Sequence, residues 1–163
     1  MKKSDTLKER IFSREELPQE VKRLRLKSKT IAFTNGVFDI LHEGHIAVLA
    51  EAASFADVLI VGVNSDSSVK KLKGDSRPVN NQNSRALIIA ALIMVDAVVI
   101  FDEETPLELI KMIRPDVLVK GGDYTMETMV GSDEVLADGG RVEIIPLREG
   151  FSTTNIINKI SSK

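Results

Sequence analysis

The stretch Thr30-Ile31-Ala32-Phe33-Thr34-Asn35-Gly36-Val37-Phe38-Asp39-Ile40-Leu41-His42-Glu43-Gly44-His45-Ile46 decides the fold. Its opening, Thr30 to Thr34, is a short apolar, β-branched run without polar alternation, the pattern of a strand covered on both faces. After Gly44, the residues Ile46, Leu49 and Ala53 recur at helical spacing and form an apolar stripe. A doubly covered strand feeding a one-faced helix reads as the start of a strand–helix–strand crossover between parallel strands.

Outward from it the same alternation continues. Further strand-like runs lie at Val58 to Val63, Ala97 to Phe101, Val117 to Val119 and Val142 to Ile145. Helical stripes fall between them: Ile88, Ala91, Leu92 and Val95 after Ser84, then Leu107, Ile110 and Ile113 after Pro106. Arg114-Pro115-Asp116 ends the latter, because a proline disfavours helix in the residue before it. A last helix carries Ile156, Ile157 and Ile160. Upstream, Ser13 and Glu16 form a capping-box pattern ahead of Leu17, Val21 and Leu24, with Pro18 set to delay or distort the first turn. The expected fold is α/β, a doubly wound Rossmann-like parallel five-stranded sheet with helices on both faces. One domain is expected, with a basic helical lead-in over residues 1–29 and an α/β core over 30–163.

Composition narrows the function. The chain of 163 residues has no cysteine, which excludes disulfides, thiolate metal sites and cysteine nucleophiles and suits a reducing cytoplasm. The 22 basic and 24 acidic residues nearly cancel and aromatics make up 4%, against an extended nucleic-acid surface. No apolar run approaches the ~18 residues of a membrane span, and the basic start lacks a signal-peptide apolar region. A soluble, unprocessed cytoplasmic protein that binds anions locally is expected, with neither nucleic acid nor membrane as partner.

In an open parallel sheet, ligands bind beyond the carboxyl ends of the strands. The loop after the first strand holds the chain's only two histidines, His42 and His45, with Gly44 between them at a helix start. That spacing aims both imidazoles and backbone N–H groups at one spot suited to phosphate oxygens. A structural pair hydrogen-bonded within the loop is the alternative; zinc is disfavoured because a third ligand is missing. The loop after the second strand, Asn64 to Val79, gathers Lys70, Lys71, Lys73, Gly74 and Arg77. It reads either as solvated surface or as a lid closing cations over a polyphosphate, with Lys73 the preferred contact. Lys120-Gly121-Gly122-Asp123-Tyr124 is either a tight turn with a capping aspartate or a close backbone approach to a ligand. Ser152, Thr153 and Thr154 are ordinary caps of the last helix or a second anion cradle.

The segment Thr34 to His45, with its His42-Glu43-Gly44-His45 core, resembles the HxGH signature of cytidylyltransferase-like nucleotidyltransferases, a Rossmann-related superfamily. Val63-Asn64-Ser65-Asp66, Leu72-Lys73-Gly74-Asp75-Ser76-Arg77-Pro78-Val79, Val119-Lys120-Gly121-Gly122-Asp123-Tyr124 and Ser152-Thr153-Thr154-Asn155-Ile156-Ile157 resemble the adenylyltransferase domain of bifunctional heptose kinase/adenylyltransferases. The resemblance runs from Ile11 to Ile160. It implies transfer of AMP from ATP to D-glycero-D-manno-heptose 1-phosphate, giving ADP-heptose and pyrophosphate for lipopolysaccharide or a related surface glycan. Heptose rests on the resemblance alone. The kinase domain has no room in this length, so a stand-alone enzyme supplied by a separate kinase and phosphatase is expected, and a homodimer, since family members commonly pair.

On this reading His42, His45 and Lys73 are catalytic, holding triphosphate oxygens and closing over the reacting phosphates. Thr34, Asn35, Gly36, Phe38, Gly44, Gly121, Gly122 and Asp123 fall on the nucleotide and phosphate side, with Ser152, Thr153 and Thr154 on the phosphate tail and Arg85 as a further phosphate contact. Mg²⁺ arrives with ATP and few protein ligands, Asp39 being the one candidate. The rivals are a glycerol-3-phosphate-type cytidylyltransferase using CTP, which shares the HxGH and Ser-Thr-Thr blocks, and a non-catalytic nucleotide-binding module.

Overall fold

The apolar runs become strands because β-branched side chains pack well on a pleated surface, where successive residues point to opposite faces. They are β1 (Ile11–Phe12), β2 (Ile31–Gly36), β3 (Val58–Asn64), β4 (Ala97–Phe101), β5 (Val117–Gly121) and β6 (Arg141–Ile145). The computed structural model describes residues 4–122, 125, 128–146 and 152–162. Its strands form one parallel six-stranded sheet in the order β1-β4-β3-β2-β5-β6. The helices are α1 (Leu17–Leu26), α2 (Glu43–Ser54), α3 (Asp66–Lys73), α4 (Gln82–Ala90), α5 (Leu107–Ile113), α6 (Ser132–Ala137) and α7 (Thr153–Ser161).

Alternation divides the core in two. Ile31, Phe33, Ile60, Val99 and Phe101 face α1, α5 and α6, which contribute Leu17, Leu24, Ile110, Ile113 and Val135. Ala32, Leu59, Val61, Val98 and Val119 face α2 and α4, which contribute Leu49, Ala52, Ala86 and Ile89. Both faces are covered, as the doubly wound reading requires.

Three details differ from the sequence expectation. The sheet has six strands rather than five, because Ile11 and Phe12 pair with Val98 and Val99 at its edge. A two-residue strand carries no periodicity, so only its pairing identifies it. Part of the expected lysine loop is helix: Ser65 Oγ accepts from Ser68 N, Val69 is buried, and Lys70, Lys71 and Lys73 fall in the last turn of α3, where cations suit the helix dipole. Finally, α4 buries Arg85, Ala86, Ile89 and Ala90 and leaves Ile88 and Ala91 exposed. From Ala86 onward this helix is apolar on every side, so the spacing of its apolar residues does not fix which of them pack inward, and the buried Arg85 sets the rotation.

Arg85 is 0% exposed. Its Nε donates to Asn80 O at 2.9 Å, Nη1 to Val37 O at 2.6 Å and Nη2 to Asp66 Oδ1 at 2.8 Å. One fork thus ties the loop after β2 to α3 and to the lead-in of α4. Lysine keeps the charge but cannot reach three acceptors from one planar group. Arg85→Lys is therefore expected to lower the unfolding free energy by roughly 2 kcal/mol, the cost of leaving buried acceptors unpaired. Urea unfolding of both proteins measures this, and an equal midpoint at equal slope contradicts it.

The topology also locates the site. From β2 the chain crosses to β3 on one side, while β5 lies on the other. The crossovers diverge there, opening a crevice outside the carboxyl ends of β2 and β5. Asn35 and Gly36 end one strand, and Lys120 and Gly121 the other.

Candidate active site

The loop after β2 leaves that crevice and returns into α2. Gly36 is required close to the turn: a Cβ there would lie 3.0 Å from the Phe38 ring, which folds back over the backbone. Phe38, itself at φ 49°, meets the His45 ring edge-on with centroids 5.4 Å apart. It is 8% exposed, so it supports the histidine from the core side. His42 takes extended geometry as N-cap of α2 without a side-chain cap bond, and His45 follows in the first turn. Their rings stack with centroids 3.8 Å apart and planes inclined by 22°.

Nδ1 of His45 is buried without a hydrogen-bond partner among the described residues, so the ring reaches a cavity ligand only through Nε2. Burial, reinforced by the neighbouring His42, pulls the His45 pKa down to about 4. Burial also lowers that of His42. Both rings are therefore neutral at pH 7, N–H donors that carry no charge until an anion draws a proton onto them.

Gly121, at the end of β5, holds the histidine helix close to the sheet. A Cβ on it would come within 2.7 Å of Val48 Cγ2 in α2. Its small size serves helix packing beside the cavity in addition to any approach by a ligand. From the far side, α7 begins at the same opening: Ser152 Oγ caps Asn155 N, and Thr153 Oγ1 donates to Ile40 O at 3.4 Å. The hydroxyl block is thereby fastened to the loop carrying the histidines.

The last wall comes from the segment between α3 and α4. Asp39, with a side chain 0% exposed, accepts from Arg77 Nε at 2.7 Å, from Val79 N at 2.9 Å and from Asn80 N at 2.8 Å. Burial pushes this carboxyl up, but the bonds from Asn80, Val79 and Arg77 outweigh it and hold it below the usual carboxylate range. Only Lys73 to Ser76 remain outside this clasp. The lid expected from sequence is thus pinned at its carboxyl end.

These elements enclose a cavity of about 350 Å³. Thr34, Asn35, Gly36, Phe38, His42, Gly44 and His45 line it from β2, the loop and α2. Lys73, Gly121, Ser152, Thr153 and Thr154 complete the set expected from sequence. Arg85 is not brought to it, its guanidinium being occupied inside the fold. Gly122 is buried beside Ile145, to whose carbonyl its N–H donates, and is not part of the wall. Asp123 lies outside the described residues, as do Tyr124 and Arg148 to Phe151. Sequence reasoning had not singled out Arg77 or Lys120, both of which line the cavity. Each stood inside a motif already quoted, and the signal was its charge at a strand end or beside a proline.

The Lys120 ammonium donates to Asn35 Oδ1 at 3.1 Å and to Asn35 O at 3.4 Å. Burial pulls its pKa down to about 8. A second cavity, of about 420 Å³, opens on its other side. The two cavities differ in lining: one gathers His42, His45, Arg77 and the hydroxyls of Ser152 to Thr154, and the other mixes polar and apolar side chains.

Over residues 33–162 the sequence matches the cytidylyltransferase-like family. It is 56% identical over 154 residues to the bifunctional protein HldE of Campylobacter jejuni subsp. doylei, covering 94% of this chain and 32% of that protein. HldE of Caulobacter vibrioides is 53% identical over 153 residues, again covering 94% of this chain and 32% of the relative. The chain therefore spans about a third of the length of these relatives. Among solved structures, a lipopolysaccharide core biosynthesis protein from Thermoplasma volcanium superposes with a TM-score of 0.61 at 28% identity, covering 74% of this chain and 97% of that one. A pantoate-beta-alanine ligase from Francisella tularensis, at 17% identity and a TM-score of 0.60, shares the fold over 94% of this chain and 78% of its own.

Proposed function

The chain belongs to the cytidylyltransferase-like family, and from that premise we propose that it is a sugar-phosphate adenylyltransferase, transferring AMP from ATP to D-glycero-D-manno-heptose 1-phosphate with release of pyrophosphate. The observation that carries this reading is the convergence of His42, His45, Lys73 and the Ser152-Thr153-Thr154 block on one cavity at the β2/β5 crevice. The likeness to HldE proteins supports the adenylyl group and the heptose acceptor. ADP-heptose for a lipopolysaccharide or surface glycan is the corresponding product.

A phosphate monoester is already ionised near neutral pH, so an oxygen of the acceptor phosphate attacks the α-phosphorus without a strong general base. The P–O bond between the α- and β-phosphates breaks in line, and pyrophosphate leaves with the electron pair. The protein's task is positioning and charge stabilisation. In this reading His42 and His45 donate to triphosphate oxygens, Lys73 and Arg77 supply cations from the clasped segment, and the start of α7 receives the phosphate tail.

Magnesium fits as a passenger on the nucleotide. Asp39 already accepts three donors, and no group of three or more His, Asp or Glu suited to a metal occurs among the described residues. Bound there, magnesium would supply neutralisation of negative charge on the phosphates. The chain's own residues hold and orient those oxygens.

Pyrophosphate release is the test, with ATP or CTP offered against both anomers of heptose 1-phosphate and against glycerol 3-phosphate. Release with ATP and a single heptose 1-phosphate anomer is expected. Turnover only with CTP and glycerol 3-phosphate makes the protein a polyol-phosphate cytidylyltransferase, and calorimetric nucleotide binding without any pyrophosphate makes it a binding module.

A further inference from the structure

The two cavities share one wall, formed by Asn35, Gly36, Val37, Lys73 and Lys120. Beyond it the second cavity mixes Asn64, Glu104, Thr105 and Thr128 with the apolar Leu72 and Met129. Hydroxyl and amide groups set among carbon surfaces suit a polyol, whose hydroxyls need partners while its C–H faces need contact. A doubly charged phosphate is repelled by Glu104 and has to lie at the opposite end, on the shared wall. There it must also approach a triphosphate of its own sign. A cation held at that junction offsets both repulsions without reorganising.

Among the described residues the shared wall offers two cations, and they differ in how they are held. Lys73 is exposed at the last turn of α3. Lys120 is half-buried at the end of a central strand and anchored at 3.1 Å to Asn35 Oδ1. Resting on the adenylyltransferase reading, we propose that Lys120 is the acceptor-seating residue, binding the phosphate of the sugar phosphate at the junction of the two cavities and fixing it in line with the α-phosphorus. Atoms and charge balance as in the transfer step above: one P–O bond forms and one breaks, and the lysine keeps its proton throughout.

Burial lowers the pKa of this ammonium to about 8, so the free protein loses part of the charge in the alkaline range. Among the described residues, the charged and titratable groups facing it across the two cavities are Lys73, Glu104, His42, His45, Arg77 and Asp39. Acceptor kcat/KM reports the free protein, so it is expected to fall above pH of about 8.

The test is steady-state pyrophosphate release by the full chain, varying heptose 1-phosphate at saturating MgATP and then the reverse. Lys120→Met is expected to raise the acceptor KM by roughly 10–100-fold, the size of one lost charge-assisted hydrogen bond, with the ATP KM within about threefold. Lys120→Arg, which keeps its charge to higher pH, is expected to move the alkaline fall in acceptor kcat/KM upward, a shift that a purely structural role does not produce. An unchanged acceptor KM in K120M, or a loss confined to ATP, overturns the assignment. If K120M does not fold, the alkaline limb of K120R decides alone: a shift supports the assignment and an unmoved limb overturns it. Wild-type protein that releases no pyrophosphate with any sugar 1-phosphate overturns the adenylyltransferase reading and this inference with it. Wild-type turnover with unaltered K120M kinetics overturns Lys120 only.

Discussion

Replacing His45 by alanine is expected to lower kcat/KM for pyrophosphate release by roughly 10²–10³-fold, the usual cost of removing one preorganised donor from a developing oxyanion. The ring has three constraints on it: the stack on His42, the edge contact with Phe38, and its place in the first turn of α2. Alanine is a good helix former, so the variant is expected to keep its circular dichroism spectrum, and the loss belongs to chemistry rather than folding. Turnover within a few-fold of wild type contradicts the assignment. A second readout follows from the depressed pKa of about 4. In the free protein the imidazole is neutral at pH 7; a bound triphosphate favours the protonated ring and raises its pKa. Binding then takes up protons, and nucleotide affinity rises as pH falls, down to the range where the γ-phosphate itself is protonated. Calorimetry in buffers of different ionisation heat is expected to show uptake by wild type and less by His45→Ala.

What could be read from sequence, and what could not, follows from how far each signal reaches along the chain. The buried strands β2, β3, β4 and β5 open on nearly continuous apolar runs because the sheet is covered on both faces, and such runs are visible without neighbours, while the edge strand β6 shows through the alternation of Val142 and Ile144 with Arg141 and Glu143. The edge strand β1 is defined only by its partners Val98 and Val99, far away in sequence, and leaves no local trace. The histidine pair and the hydroxyl block are legible as candidates because each sits at the start of a helix, and Lys73 because it ends the helix that follows β3, all beside one cavity. Arg85 shows the opposite case. An arginine at the start of a helix near an anion site reads as a phosphate contact, yet its partners are two carbonyls and a carboxylate that meet only after folding. Asp39 misleads in the same way. A carboxylate in a signature loop suggests a metal ligand, while its three donors come from residues 77–80. Local sequence tells that a charged group is present; tertiary hydrogen bonding decides whether it faces inward or toward a ligand.

Asp39→Ala is accordingly expected to be the most destabilising substitution near the site. The carboxylate is fully enclosed and accepts the Arg77 guanidinium together with the backbone N–H groups of Val79 and Asn80. Removing it strands a cation whose side chain is 13% exposed and two backbone donors in the same place. Breaking a buried pair by deleting one partner costs about 3–5 kcal/mol, and the lower part of that range applies because Arg77 borders the cavity and can turn into it. Arg77→Ala leaves the carboxylate with both backbone donors and is expected to cost less, on the order of 1–3 kcal/mol. The asymmetry between the two variants in urea unfolding separates a clasp from a simple surface pair, for which both losses would be small and alike. Turnover is expected to follow. Besides the local turn bonds from Gly74 N to Lys70 O and from Arg77 N to Gly74 O, the segment from Lys73 to Arg77 is tied to the rest of the site through Asp39 at its far end, so its release makes the cavity wall mobile and lowers kcat under conditions where the variant is still folded. If Asp39→Ala unfolds at the wild-type urea midpoint and turns over normally, the segment is held by something else and Asp39 does not organise the site.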